Sequence, residues 1–209
     1  MFPAAVRDML RRLLGHNLML SLGLGIVLIM SLAAVCAPLL APYPPTALHL
    51  DHILEPPSSR FWLGTDRLGR DVFSRLLYGG RVSLWVGFVA VGISISIGTV
   101  LGLVSGYFRR WVDEAIMRLV DIMLCFPSFF LILAVIAFLE PDLTNIMVVI
   151  GLTSWMGVTR LVRAETLSLR EREFVAAARL AGSPTRRILF RHILPNVVSL
   201  LIVSMTLDF

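Results

Sequence analysis

Residues 173–195 read EFVAAARLAGSPTRRILFRHILP, a basic and weakly amphipathic stretch set between two strongly apolar runs. From Glu173 onward, Phe174, Val175, Ala178 and Ala181 recur at spacings that make one apolar stripe of a short helix, Glu173 to Leu180. Gly182 is placed to end it, because the left-handed residue after a helix costs glycine least. Ser183 as N-cap and Pro184 as first helical residue then open a second helix, Thr185 to Leu194. Ile188, Leu189 and Ile193 lie on one side of it and Arg186, Arg187 and Arg191 on the other. Pro195 begins a new apolar run. Locally this is a helix–turn–helix, and taken by itself it leaves a solvated basic loop and a nucleic-acid-reading element open.

The rest of the chain restricts that choice. Of 209 residues 57% are hydrophobic and only 16% charged, which is too apolar for a soluble domain and fits an all-α, multi-span membrane protein. The net charge is +5 and all 19 basic residues are arginine. Without lysine there is no Walker-A loop, no Ser-x-x-Lys nucleophile and no Schiff-base amine, so the chain is not expected to be an enzyme or to hydrolyse ATP by that route. Cys36 and Cys125 sit in apolar runs and read as small hydrophobes, not as a disulfide or metal site. His49, Asp51 and His52 lie between prolines and read as loop residues, so no metal and no cofactor is expected. The arginines at 163–191 lack the aromatic interleaving of a nucleic-acid surface; they suit lipid headgroups.

Working outward, five apolar spans are predicted. Residues 1–17 form a basic N-terminus, and 18–41 an uncleaved anchor long enough for a bilayer, which needs about 20 residues. Residues 42–81 are a proline-broken polar connector. Its second half forms a surface helix capped by Asp71 and ended by Gly79-Gly80. The core, 82–209, opens with a span from Val82 to Phe108 in which Ala90, Ser94, Gly98, Gly102 and Gly106 recur every four residues, a packing stripe for another helix. A turn at Arg109-Arg110 leads to a third span, Val112 to Leu139. Pro127 kinks that span, and Glu114, Arg118 and Asp121 form a charge cluster at its start. Glu140-Pro141-Asp142 turns into a fourth span, Asn145 to Val162, and the loop 163–194 follows. A fifth span starts at Pro195 and is incomplete at Phe209, so the chain reads as a fragment or truncated product.

Arginines 7, 11, 12, 109 and 110, together with those from 163 to 191, fall on one side of the alternating spans. They outnumber Arg60, Arg67, Arg70, Arg75 and Arg81 on the other. The N-terminus and the 163–194 loop are therefore expected in the cytoplasm.

Ala176-Ala177-Ala178, Gly182 and Leu194-Pro195 resemble the EAA loop of ABC-importer permeases: Glu-Ala-Ala, three residues, Gly, nine residues, Ile, one residue, Leu-Pro. Ala176 replaces the motif glutamate, and His192 the isoleucine, with Ile193 one place on. Gly64-Thr65-Asp66, two residues, then Gly69-Arg70-Asp71 resembles the stretch before the core in the dipeptide, oligopeptide and nickel branch. The resemblance implies a permease subunit of the second (C) type, a type I importer bundle whose sixth span is missing here. Its implied partners are a homologous second permease subunit, two ABC ATPase subunits, and a periplasmic or lipid-anchored solute-binding protein. Its implied substrate is a dipeptide or oligopeptide, with nickel or another small solute as the alternative. It also implies a cytoplasmic coupling helix that docks on the ATPase, with Phe174 as apolar anchor and Glu173 and Arg179 at the rim. The reading of another class is a membrane scaffold that transports nothing.

Overall fold

The structure, a computed structural model, describes residues 18–139 and 142–208. The expected N-terminal segment 1–17 and residues 140–141 of the expected turn lie outside the described residues. Among the described residues every regular element is a helix, and the only strand-like pairing is a single bridge between Thr65 and Asp71. The helices are α1 (Leu18–Val35), α2 (Ala37–Leu40), α3 (Val72–Phe108), α4 (Arg110–Leu124) and α5 (Ser128–Ile136), followed by α6 (Leu143–Arg170), α7 (Glu173–Leu180), α8 (Thr185–Arg187) and α9 (Leu194–Asp208). A one-turn 3-10 helix, Leu50–His52, lies between α2 and α3, and a π-helical turn, Ile188–Ile193, joins α8 to α9.

Helices α3 and α6 are long and apolar enough to cross a membrane, and α4 with α5 makes a third span if the bent pair is counted as one. The break between α4 and α5 is larger than the expected kink: the two axes meet at 81°. Pro127 has no N–H to give the Met123 carbonyl, and Phe126 N–H takes that acceptor instead at 3.3 Å, closing α4 with a tight turn. The expected anchor 18–41 is likewise divided. Its helix stops at Val35, because Pro38 has no N–H for the Ala34 carbonyl, and α2 resumes after Cys36. The fourth span runs on from the expected Val162 to Arg170.

Two compact units divide the chain, Met1–Trp85 and Val86–Phe209. In the first, the proline-broken connector is folded on itself by local hydrogen bonds and ring contacts. Phe61 is fully buried, with the rings of Tyr43, His49 and His52 at 5.5, 5.3 and 5.5 Å. His52 donates or accepts at both ring nitrogens, with Glu55 Oε2 at 2.6 Å from Nδ1 and Arg60 Nη1 at 3.1 Å from Nε2. Gly69, at φ +70°, lies so close to the chain that a Cβ would stand 2.2 Å from the His49 carbonyl oxygen. Asp71 caps α3 as expected, its Oδ2 accepting from Ser74 N–H at 2.8 Å. The surface helix expected to end at Gly79-Gly80 does not end there. It is the opening of the 37-residue α3. Neither glycine has a positive φ, and Gly80 lets Ala34 of α1 pack within van der Waals distance. Glycine breaks helices readily in water but is common inside packed membrane helices.

In the second unit, α6 is the central element, with α4, α5, α7 and α9 packed on it. Its core joins Leu103, Val158, Val162 and Leu169 to Val175, Ala178, Ile188, Leu189, Ile193, Val197 and Leu201. A smaller cluster, Val120, Trp155 and Met156, fills the space between α3, α4 and α6 with Ile97, Leu101, Met117 and Met123.

Candidate functional site

The stretch 173–195 is held to the bundle by only part of the expected apolar stripe: Phe174 and Ala181 are exposed. Val175 and Ala178 of α7 are buried with Ile188, Leu189 and Ile193 of the following turns. Ala178, the third alanine of the Ala-Ala-Ala run, is thus part of the anchorage and not of the outer surface. α7 closes with a Schellman motif: Ser183 N–H donates to the Ala178 carbonyl and Gly182 N–H to that of Arg179, both at 3.0 Å. Gly182 has φ +72°, the left-handed conformation its position requires. Because this closure uses Ser183, the N-cap of the second helix falls one residue later than expected, while the helix itself begins at Thr185 as expected. Pro184, extended at ψ 148°, is its N-cap, and its carbonyl accepts from Arg187 and Ile188.

The second helix does not stop before Pro195. It passes through the π turn into α9, with Leu194 half-buried and Pro195 exposed as the second residue of α9. A π turn widens the backbone. That gives room for the proline ring, which in a regular α-helix would meet the carbonyl four residues back.

The opposite side of α7 carries Glu173, Phe174, Ala176, Ala177, Arg179 and Leu180, all exposed. Phe174 is 40% exposed and Leu180 91%. Leu180 has no role in the expected stripe, yet it is the most exposed apolar group of this loop. Arg179 does not project freely at a rim. Its guanidinium lies over the Tyr107 ring at 5.3 Å, and Arg170 approaches the same ring at 5.7 Å.

Three links tie this loop to the end of α3. Arg163 grips Asp113 with a fork, Nε to Oδ1 at 2.6 Å and Nη2 to Oδ2 at 2.7 Å, and the fully buried Ser105 donates to Oδ1 at 2.5 Å. Arg109 Nη2 donates to Glu171 Oε1 at 2.8 Å. Arg170 Nη1 donates to the Tyr107 carbonyl. Between these links the backbone turns at Arg109 (φ 55°, ψ −169°) and Arg110 (φ 54°). Such conformations cost a residue bearing a side chain about 1–3 kcal/mol.

The expected cluster of Glu114, Arg118 and Asp121 is not one cluster. Arg118 and Glu114 are 3.7 Å apart and well exposed, whereas Asp121 pairs across to Arg160 of α6 at 2.5 Å. Helical side chains lean toward the N-terminus, so Arg118 reaches back to Glu114 and away from Asp121. The better-shielded charge pair is Asp113–Arg163, 50 residues apart in sequence. No local pattern pairs them.

Gly98, Gly102 and Gly106 all lie against α6. A Cβ on them would stand 2.6 to 2.7 Å from the Cβ atoms of Val158, Val162 and Thr166. Gly151 answers from α6, where a Cβ would stand 2.7 Å from that of Ile93.

The model of the family described as binding-protein-dependent transport system inner membrane component matches residues 98–209. A second, described as the N-terminal TM domain of oligopeptide transport permease C, matches residues 5–57. The chain is similar to the dipeptide transport system permease protein of Alkalihalophilus pseudofirmus, 44% identical over 94% of this chain and 64% of that protein. It is 40% identical to the glutathione transport system permease protein of Pectobacterium atrosepticum, over 94% of this chain and 65% of that one. It is 35% identical to the oligopeptide transport system permease protein of Bacillus subtilis, over 91% and 63%. The chain therefore spans less than two thirds of the length of these relatives.

Proposed function

The chain belongs to the family of binding-protein-dependent transport system inner membrane components, and from that premise we propose that it is the permease subunit of an ATP-driven importer of peptides. The relatives' names support peptides over nickel, since they are di- and oligopeptide and glutathione permeases. In this reading it pairs with a homologous permease and two ATPase subunits and receives substrate from a solute-binding protein. The N-terminus and the 163–194 loop face the cytoplasm, where arginine is retained. Hydrolysis occurs on the partner ATPases; closure there moves α7, and the helix pair α3/α6 moves with it to expose the pathway alternately to either side.

The observation that carries this reading is the two-faced loop. Val175 and Ala178 fix α7 to the bundle, while Phe174, Ala177 and Leu180 present an apolar surface that is exposed among the described residues. Exposed aromatics and leucines ringed by charge are the composition of a docking patch. Ala177→Trp tests it. The substitution adds bulk at an exposed position, so membrane insertion and folding are retained, while ATPase subunits no longer co-purify and uptake of labelled dipeptide in a permease-null strain is lost. Undiminished co-purification would sink the proposal. Recruitment of the ATPase with no uptake of any peptide would leave a scaffold as the better description.

A further inference from the structure

The turn between α3 and α4 is held in an unfavourable backbone conformation, and the groups that hold it come from the base of the 163–194 loop. Arg109 and Arg110 both have positive φ, and Arg109, with ψ −169°, occupies a region almost reserved for glycine. Neither residue is glycine, and no proline or cap imposes the geometry. What fixes it is tertiary. Glu171 holds the Arg109 side chain at 2.8 Å, and Arg170 holds the carbonyl of Tyr107. Arg170 and Arg179 also cover the Tyr107 ring. One turn into α4, the Asp113–Arg163–Ser105 cluster fixes where the helix begins. A strained segment persists only where its surroundings over-determine it, and here the surroundings are the segment leading into α7.

We propose that Glu171 and Arg170 are positioning residues that clasp a strained Arg109–Arg110 hinge, so that displacement of the 163–194 loop releases or re-forms the bend between α3 and α4. The inference rests on the importer reading for its purpose and adds to it a route: motion of α7 reaches the bent pair α4/α5 through the hinge as well as through α6. Releasing Glu171 removes one restraint, and the turn can then relax toward ordinary φ, which re-aims α4. The Arg109–Glu171 pair is itself exposed, at 44% and 62%, and adds little to stability; its effect is on the direction of the turn, and it acts together with the better-shielded Arg170–Tyr107 and Arg163–Asp113 links.

The experiment places spin labels at Trp111→Cys, 77% exposed on the first turn of α4, and Leu180→Cys, 91% exposed on α7, with Cys36 and Cys125 changed to Ala. The full chain is measured in lipid nanodiscs. One narrow distance distribution is expected for this background. Glu171→Gln is expected to broaden it or add a second distance, and Arg109→Glu with Glu171→Arg to restore the single one. An unchanged distribution in Glu171→Gln, or no restoration by the exchange, overturns the proposal. In the assembled importer Glu171→Gln is expected to keep the ATPase bound but lower transport per ATP hydrolysed about fivefold or more; an unchanged ratio also overturns it. Failure of the unaltered chain to recruit any ATPase would strike the importer reading alone, since the spacing measurement requires no ATPase.

Discussion

Asp113 and Arg163 show how much one side-chain pair decides here. The fork between them leaves both groups mostly shielded, with side-chain exposures of 16% and 31%. Asp113→Asn removes the charge and one acceptor geometry while Arg163 remains in place, and it also weakens the Ser105 bond. The expected cost is about 2 kcal/mol, below the figure for a fully buried pair because some water reaches it. Thermal unfolding of the purified protein in detergent, read as a fall in Tm, checks this, with Glu114→Gln as the control expected to change nothing measurable. In the connector, burial pushes the Asp66 carboxyl up, but the backbone N–H groups of Arg70 and Leu68 and the Arg70 guanidinium more than reverse it and hold the group at about 2, from 3.8. A carboxyl depressed on folding stabilises the folded form fully above its unfolded pKa. Its contribution is lost as pH falls through the folded value. The 64–71 segment should therefore keep its hydrogen-exchange protection at pH 6 and lose it between about pH 4 and 2. Asp66→Asn should show weakened protection already at pH 6. Of these residues, Asp71 is visible in sequence as a helix cap, and Asp66 as a member of the 64–71 motif. The Asp113–Arg163 fork is not, because its partners are 50 residues apart and only packing of α4 on α6 brings them together.

At the scale of elements, the contact of α3 with α6 rests on backbone approach. At Gly102 a Cβ would stand 2.6 Å from that of Val162 and 2.8 Å from the Thr159 carbonyl oxygen. Backbone cannot yield as a side-chain tip can, so Gly102→Ala is expected to force the helices apart and cost about 1–3 kcal/mol. Gly92, also in α3, has nothing within 4 Å of its would-be Cβ. Gly92→Ala is accordingly expected to be neutral or to stabilise by up to about 1 kcal/mol through helix propensity. Comparing Tm for the two variants separates packing from propensity; equal effects would contradict the close approach. The every-fourth-residue pattern that singles out Gly98, Gly102 and Gly106 is legible in sequence because small residues at that spacing have one physical use. The fate of Gly79-Gly80, Pro127 and Pro195 is less legible. Each is a potential helix breaker, yet one pair is passed without interruption, one proline turns the chain by 81°, and the other is absorbed by a π turn. Local propensity ranks these options, but the packing of neighbouring helices, worth more than the propensity difference, selects among them.

For the molecule as a whole, the importer reading requires the loop 163–194 and the connector to face opposite compartments. With Cys36 and Cys125 removed, Leu180→Cys is expected to react with a membrane-impermeant maleimide in inverted vesicles and not in intact cells, and Leu68→Cys to do the reverse. Labelling of both from one side would end the proposed topology. What the sequence determined by itself was the class and the family resemblance. A strongly apolar chain whose apolar runs are long and continuous, without the alternation of barrel strands, satisfies its backbone in lipid as helices, and composition and spacing are local quantities that need no coordinates. What only the tertiary structure decided was which face of each helix does what. Ala178 turns inward while Ala177 turns out, Arg179 lies on Tyr107, and Glu171 clasps a turn 62 residues earlier in the chain. Those choices depend on how distant helices share space, and a one-dimensional pattern carries no record of that until the chain has folded.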